Sequence, residues 1–279
     1  MSEEQIRLLE KKLKRERQGR KQAETLLEQK SLALYEQNTE LDLKREALER
    51  SNKELEQFAF IASHDLRAPL RGIVSFTTLL KNECQGKVST QADEYFKFIE
   101  DSGTYMMELI DDLLTFTSIG SQKKTREDVD LGSVVSGVCE RLQHDIQTSQ
   151  TEVVFQDLPT VPGDAVQLGQ LFQNLIANAM KFRRTDCNPR IEITATEQEG
   201  GYEISVRDNG IGIEPDYSRQ IFQVFTRLHT SDKYEGTGIG LSICKKVVEE
   251  HGGHIRAEPH TQGGSLFIFT LSNQRELMS

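Results

Sequence analysis

The chain has 279 residues, enough for one or two domains that each bury an apolar core. Its formal net charge of −10 argues against a duplex nucleic-acid binder, because neutralising phosphates needs a basic face, and no apolar run approaches the ~20 residues that span a bilayer. With 36% hydrophobic and 28% charged residues, part of the chain is expected to stay outside any core as an elongated polar segment. Cys84, Cys139, Cys187 and Cys244 are scattered without a C-x-x-C pair, and Met1 to Arg20 is too charged for a signal peptide. Both features suit reduced thiols in a cytoplasmic protein.

Residues 1–55 hold no proline and a dense mixture of Glu, Lys, Arg and Gln, which predicts a long solvated helix. Ile6, Leu13, Leu27, Leu34, Leu41, Leu48 and Leu55 recur in heptad step, interrupted only by Arg20, as in one seam of a parallel coiled coil. The companion seam alternates Leu9, Ala23 and Phe58 with Glu16, Lys30, Gln37, Lys44 and Ser51, so the pairing is weak and suits a rod that shifts register.

The heptad phase runs on through Ile61, Ala62, Leu66, Ile73, Phe76 and Leu80, and residues 56–121 read as an antiparallel helical hairpin. Gly86 is the expected helix stop and Ser89 or Thr90 the next cap, followed by a helix through Tyr95, Phe98, Met106, Leu109, Leu113 and Phe116. Two helices alone leave apolar faces wet, so a homodimer forming a four-helix bundle is expected. Pro69 lacks an N–H, depriving the Asp65 carbonyl of its helical partner and bending the helix just after His64.

Residues 122–279 change to strands alternating with helices. Strands are predicted at Glu127–Val129, Glu152–Phe155, Arg190–Thr196, Tyr202–Arg207, His254–Glu258 and Leu266–Leu271, with a hairpin turn at Gly200-Gly201. Helices are predicted at Leu131–Gln147, from an Asp164 cap through Ala179, and at Gly238–His251. Helices beside a mixed sheet make an α/β sandwich.

Three segments of this domain suit a phosphate ligand. Gly236, Gly238 and Gly240 permit a loop whose N–H groups point at an anion, with a helix start adding its positive dipole end. Asp208-Asn209-Gly210-Ile211-Gly212 follows a strand, and Asn174 and Asn178 share a helix face, their amide oxygens being adequate for a hard cation already held by phosphates. Lys181 on the next turn can reach a phosphate. A tight turn explains any one glycine segment alone, and exposed helix polarity explains the asparagines, but the set in this order points to a nucleotide. No strand directly precedes Gly236 and no G-x-x-x-x-G-K-[ST] occurs, so dinucleotide and P-loop motifs are excluded.

In this order the motifs resemble the catalytic and ATP-binding domain of sensor histidine kinases. Asn174 to Phe182 resembles the N box, Asp208 to Gly212 the first glycine box, Phe222 and Phe225 the F box, and Gly236 to Gly240 the second glycine box. The resemblance implies a sandwich of the GHKL (Bergerat) type in which Asp208 accepts a hydrogen bond from the adenine amino group, Asn178 holds Mg²⁺ and Arg227 approaches the γ-phosphate of ATP. Asn174, Lys181, Gly210, Gly212, Phe225, His229, Gly236, Thr237, Gly238 and Gly240 complete the implied site, with His229 and Lys233 on the lid.

Upstream, Ser63 to Arg71 resembles the H box of the dimerisation and phosphotransfer domain in its phytochrome-like form, which makes His64 the implied phosphoacceptor. The chemistry needs a neutral imidazole with one lone pair facing the phosphate, and Asp65 can accept the hydrogen on the other nitrogen. Ala68 departs from the family where many relatives carry Thr or Asn, which predicts weak phosphatase activity. The implied partners are a second copy, the receiver domain of a response regulator, and an upstream sensor domain or separate sensor protein. Two other classes stand as alternatives. An ATP-gated clamp of the gyrase and MutL type would need a glutamate where Asn174 stands, and an adaptor signalling by shape alone would not need these nucleotide boxes.

Overall fold

The computed structural model describes residues 3–84, 89–120, 126–226, 236–260 and 263–273. Helix α1 covers Glu3–Cys84 and passes through Pro69. Up to Gln57 it is a unit by itself, with i,i+4 ion pairs such as Arg20–Glu24 at 3.0 Å and Glu40–Lys44 at 2.6 Å. Leu27, Leu34 and Leu41 are exposed along it, so the heptad stripe is bare on a single chain.

Residues 58–279 form the second unit. Helix α2, Thr90–Ser118, starts where the Ser89 hydroxyl accepts the Ala92 N–H at 3.3 Å; the expected stop at Gly86 lies outside the described residues. The pairings Arg67–Asp111 and Lys81–Glu100, both 2.5 Å, run in opposite sequence directions, so α2 is antiparallel to the later part of α1. Gly103 is buried at the crossing against Val74. Phe76, Leu80, Tyr95 and Phe98 remain more than half exposed, so the hairpin keeps a broad apolar face uncovered.

The α/β part begins with β1, Glu127–Asp130, and α3, Leu131–Arg141, whose first turn is capped by the Asp130 carboxylate. After α4, Gln143–Ser149, come β2, Glu152–Phe155, and β3, Thr160–Gly163. Helix α5, Ala165–Lys181, is capped by Asp164, and β4, Arg190–Gln198, turns through Gly200 into β5, Gly201–Asp208. Helix α6 covers Gly240–Glu250, followed by β6, Ile255–Pro259, and β7, Ser265–Ser272. The five-stranded sheet has the order β2-β4-β5-β7-β6, parallel only between β2 and β4, while β1 and β3 form a separate antiparallel pair.

Alternation buries Ile191 and Ile193 of β4, Ile204 and Val206 of β5, and Phe267, Phe269 and Leu271 of β7 in one core. Against them stand Val135 and Val138 of α3, Leu168, Phe172 and Leu175 of α5, and Ile243 and Val247 of α6. The Phe172 ring meets Phe269 edge to face at 5.9 Å. This is the sandwich expected from the sequence, with the cavity described below on its helical side.

Three local expectations differ. The helix expected over Leu131–Gln147 breaks at Leu142, whose φ of −91° and ψ of 11° leave the helical region, so α3 and α4 are separate. Strand β3 was not expected because it contains Pro162, which a sheet accepts at an edge, and the two-stranded β1–β3 ribbon has only edges. Helix α6 starts at Gly240 rather than Gly238, because Gly238 has a φ of +76°. All four cysteines are free thiols, and among the described residues no helix is long and apolar enough to cross a membrane.

Candidate active site

A cavity of about 310 Å³ opens between α5, the end of β5 and the start of α6. Nine residues singled out in the sequence line it: Asn174, Asn178 and Lys181 from α5, Asp208 and Gly212 from the first glycine segment, and Gly236, Thr237, Gly238 and Gly240 from the second. Ile211, Ile213, Ile221 and Phe267 supply apolar wall. A largely apolar cavity with a few convergent polar groups fits a heteroaromatic ring carrying a polar tail.

Asp208 forms the deep end. The residue is only 9% exposed, and one carboxylate oxygen accepts the N–H groups of Gly210 at 2.8 Å and Ser265 at 3.1 Å. Burial pushes this carboxyl above its ordinary value, and the two backbone N–H bonds pull it back. Gly210 does not face the cavity; it lets the chain turn under Asp208, where a Cβ would come within 2.4 Å of the Phe182 carbonyl oxygen. Asn209 is turned away, receiving the Arg190 N–H at 2.8 Å and donating to the Asn188 carbonyl at 2.9 Å.

The two asparagines of α5 have different employment. Asn174 donates to the Gly240 carbonyl at 3.0 Å and accepts from Gln170 at 3.2 Å, so its amide is spent on tying α5 to the start of α6. Asn178 makes no side-chain hydrogen bond to another described residue and faces the cavity one turn further on. Its amide oxygen, beside the Lys181 ammonium and the glycine turn, suits a cation bound mainly by phosphate oxygens. Lys181 Nζ lies 4.6 Å from the Phe182 ring centre, and a Cβ on Gly236 would come within 2.7 Å of it. With its φ of +132°, Gly236 is held to glycine by backbone conformation, whereas the Lys181 ammonium is the movable end of a long side chain.

Of the F-box pair, Phe222 is buried, but Phe225 is 62% exposed with a φ of +64° and does not line the cavity; Thr226 does. The sequence assigned Phe225 to the site on motif position, and the left-handed turn at that residue carries its ring outward instead. Arg227, His229 and Lys233 lie outside the described residues.

His64 and Asp65 stand on α1, apart from the cavity lining. His64 Nδ1 and Asp65 Oδ1 are 3.1 Å apart, and both side chains are about 70% exposed. An ionised carboxylate can only accept, so this bond puts the hydrogen on Nδ1 and leaves the Nε2 lone pair free toward solvent. One turn on, Arg67 binds Asp111 of α2.

Sequence reasoning missed two contributors. Ser265 helps hold Asp208 from β7, signalled only by the Gly263-Gly264 doublet before it. Asp112 of α2 also lines the cavity, where the Thr237 hydroxyl donates to its Oδ2 at 2.5 Å. Burial pushes the Asp112 carboxyl up, Thr237 pulls it down, and Asp111 pushes it up further. Nothing local in the sequence marks Asp112.

A helical hairpin with an exposed histidine is joined to a mixed-sheet sandwich with a glycine-rimmed polar cavity, a two-module arrangement that offers a candidate acceptor and a candidate nucleotide site. Family comparison agrees on both parts. Residues 54–122 match the His Kinase A (phospho-acceptor) domain, and residues 163–275 match the histidine kinase-, DNA gyrase B-, and HSP90-like ATPase family. The chain thus carries the phospho-acceptor and ATPase domains of a histidine kinase. It is 42% identical over 224 residues to cyanobacterial phytochrome A of Nostoc sp., covering 80% of this chain, and 41% identical over 224 residues to phytochrome-like protein Cph1 of Synechocystis sp., again covering 80%. The chain spans 29% and 30% of the lengths of those relatives. Among solved structures, full-length ShkA in complex with AMPPNP is 26% identical with a TM-score of 0.60, over 78% of this chain and 46% of that one.

Proposed function

We propose that this chain is the ATP-dependent protein-histidine kinase core of a two-component system, phosphorylating its own His64 and passing the phosphoryl group to an aspartate on the receiver domain of a response regulator. The observation that carries this reading is the pairing of two arrangements: a His64 whose Nδ1 hydrogen is taken by Asp65, and a cavity with a buried carboxylate at one end and a glycine turn at the other. The AMPPNP bound by ShkA supports ATP as the ligand.

In this reading the adenine amino group donates to Asp208, and the phosphates run toward Lys181 and the N–H groups of Gly236 to Gly240. Asn178 would contribute an oxygen to Mg²⁺, which supplies charge neutralisation on the phosphates. His64 Nε2 attacks the γ-phosphorus; the new P–N bond forms as the bond to the β-phosphate bridging oxygen breaks, and ADP leaves with that electron pair. Asp65 stabilises the positive charge that develops on the ring. Arg227 is assigned to the γ-phosphate as a stabiliser of transferring charge.

Residues 1–55 act as a parallel signalling coiled coil, 56–121 as the dimerisation and phosphotransfer domain, and 122–279 as the catalytic and ATP-binding domain. The bare stripe of Leu27, Leu34 and Leu41 and the open hairpin face around Phe76 and Phe98 support a homodimer closing a four-helix bundle. The signal comes from a sensor domain or separate sensor protein, and the reaction takes place in the cytoplasm. Ala68, one turn after His64, offers no polar group to orient water, so dephosphorylation of the regulator is weak.

The decisive experiment incubates the chain with γ-labelled ATP and Mg²⁺. An acid-labile, alkali-stable label that His64→Gln abolishes is the expected result. Unchanged labelling in that variant removes His64 from the reaction, and free phosphate without labelled protein favours the gyrase-like alternative.

A further inference from the structure

We propose that Asp112 is a built-in competitor for the phosphate end of the cavity, its carboxylate holding Thr237 where a nucleotide phosphate oxygen would otherwise be held. The inference rests on the nucleotide reading of the cavity given above.

Thr237 sits in the middle of the second glycine turn and is buried. Its hydroxyl has one hydrogen, which goes to Asp112 Oδ2, while its oxygen accepts the Ile239 N–H at 3.3 Å. A phosphate oxygen cannot take that hydrogen while Asp112 holds it. Asp112 also lines the main cavity and an adjoining cleft shared with Glu108, Asp111, Gly236 and Thr237. A half-buried carboxylate there is poorly screened and repels an incoming polyphosphate. One hydrogen-bond donor of the turn is thus occupied by an anion of the chain's own.

The bond is one of several that seat α2 on the sandwich. Lys246 donates to the Phe116 carbonyl at 2.8 Å with its ammonium 4.7 Å from the Phe116 ring centre, and Ile119 is 4% exposed in the α/β core. Next to Asp112, Asp111 is held by Arg67, which follows His64 by three residues, about 4.5 Å along the helix. Adjacent carboxylates therefore face in two directions, one toward the helix of the acceptor histidine and the other toward the nucleotide lobe. Because the seated contact and the polyphosphate compete for one hydroxyl, nucleotide binding weakens seating and seating weakens nucleotide binding by the same factor. Loading the site is what frees the lobe from α2.

The test is calorimetric titration of the chain with ATP, ADP and adenosine, for wild type, Asp112→Asn, Asp112→Ala and Asp111→Asn. Asp112→Ala, which removes both the charge and the acceptor for the Thr237 hydroxyl, is expected to bind ATP and ADP about five- to tenfold more tightly, and Asp112→Asn, whose amide oxygen can still accept that hydrogen, by a smaller factor, with adenosine unchanged in both because it reaches only the Asp208 end. Asp111→Asn, which removes a charge from the adjoining cleft but no partner of Thr237, is expected to gain about twofold at most, and a gain equal to that of Asp112→Ala overturns the proposal. Unchanged or weaker ATP binding in the Asp112 variants, or an equal gain for adenosine, overturns the proposal. Failure of the wild type to bind any of the three overturns the nucleotide reading itself, and this inference with it. As a second readout, acylation of Lys246 should speed up when ATP is added to wild type; an unchanged rate means that the lobe stays seated and the competition does not exist.

Discussion

Asn174 donates its amide hydrogen to the carbonyl of Gly240 at 3.0 Å, a bond that fixes the end of the second glycine turn against α5 across 66 residues of chain. Gln170 in turn donates to Asn174 at 3.2 Å and sets the amide's orientation. The residue thus shapes the cavity through the turn that it holds.

Asn174→Ala is expected to weaken ATP binding about tenfold and to lower stability by about 1 kcal/mol, the net worth of one such bond. Asn178→Ala is expected to leave stability within about 0.5 kcal/mol, since that amide supports no other described residue. Urea denaturation without ligand separates the two. Equal stability losses would mean that the two amides share one job.

His251 gives the sandwich an acid sensitivity. Its Nε2 accepts the Asp164 N–H at 3.1 Å and its Nδ1 donates to the Val247 carbonyl at 2.7 Å, so the ring is held neutral with both nitrogens used. Burial lowers its pKa below 6.5, opposed by the Val247 bond; Arg126 lowers it further and Asp164 raises it. Below about pH 6.5 the unfolded chain takes up this proton before the folded one, so stability falls as pH drops through that value, by up to about 1.4 kcal/mol per pH unit. Above it the contribution is complete. Thermal melts between pH 7.5 and 5 should show the loss, and His251→Gln should flatten the slope in that window. A slope identical in both proteins would assign it to other groups.

Gly103 sets how closely the two hairpin helices cross. A Cβ there would stand 2.3 Å from Val74 Cγ2, and a β-branched side chain in a helix has one strongly preferred rotamer with which to yield. Gly103→Ala gains about 1 kcal/mol of helix propensity but incurs about 1–3 kcal/mol of overpacking, so a net loss of about 1 kcal/mol is expected. Adding Val74→Ala should relieve the clash. Chemical denaturation checks both, and a Gly103→Ala variant more stable than wild type would mean that the helices separate freely.

Legibility followed the range of the interactions. Alternation marked β4 and β5 within a few residues of their observed ends, and the apolar stripe of Leu168, Leu171 and Leu175 marked α5, because those patterns repeat locally. The glycine turns stood out because a close backbone approach restricts residue type at fixed spacing, whereas Asp208 and Asn178 were given their roles by the family resemblance of the motifs around them. Pro162 hid β3, since a proline argues against a strand until its partner is known to be a lone edge. The Asp112–Thr237 contact joins residues 125 positions apart, and neither end carries a pattern that predicts the other. Asn174 was read as a direct ligand of the site because spacing fixes its face but not what its amide meets.

The remaining prediction concerns Asp65. The His64–Asp65 pair is open to solvent, so its electrostatic worth in the resting protein is small. In the proposed reaction its value arises during transfer, when the imidazole becomes cationic and a carboxylate at Nδ1 stabilises it more than a neutral amide would. Asp65→Asn keeps an acceptor oxygen in place but removes that charge, and Asn can also present its amide nitrogen, favouring the tautomer with hydrogen on Nε2, where the lone pair is needed. The expected outcome is a fall of about tenfold to a hundredfold in the rate of His64 labelling, with the dissociation constant for ATP unchanged because Asp65 lies outside the cavity. Single-turnover labelling at saturating ATP, alongside nucleotide titration, measures both quantities. A variant that labels at the wild-type rate would show that the ring orients itself, and a variant that loses ATP affinity in proportion to rate would show that Asp65 acts on the nucleotide lobe instead.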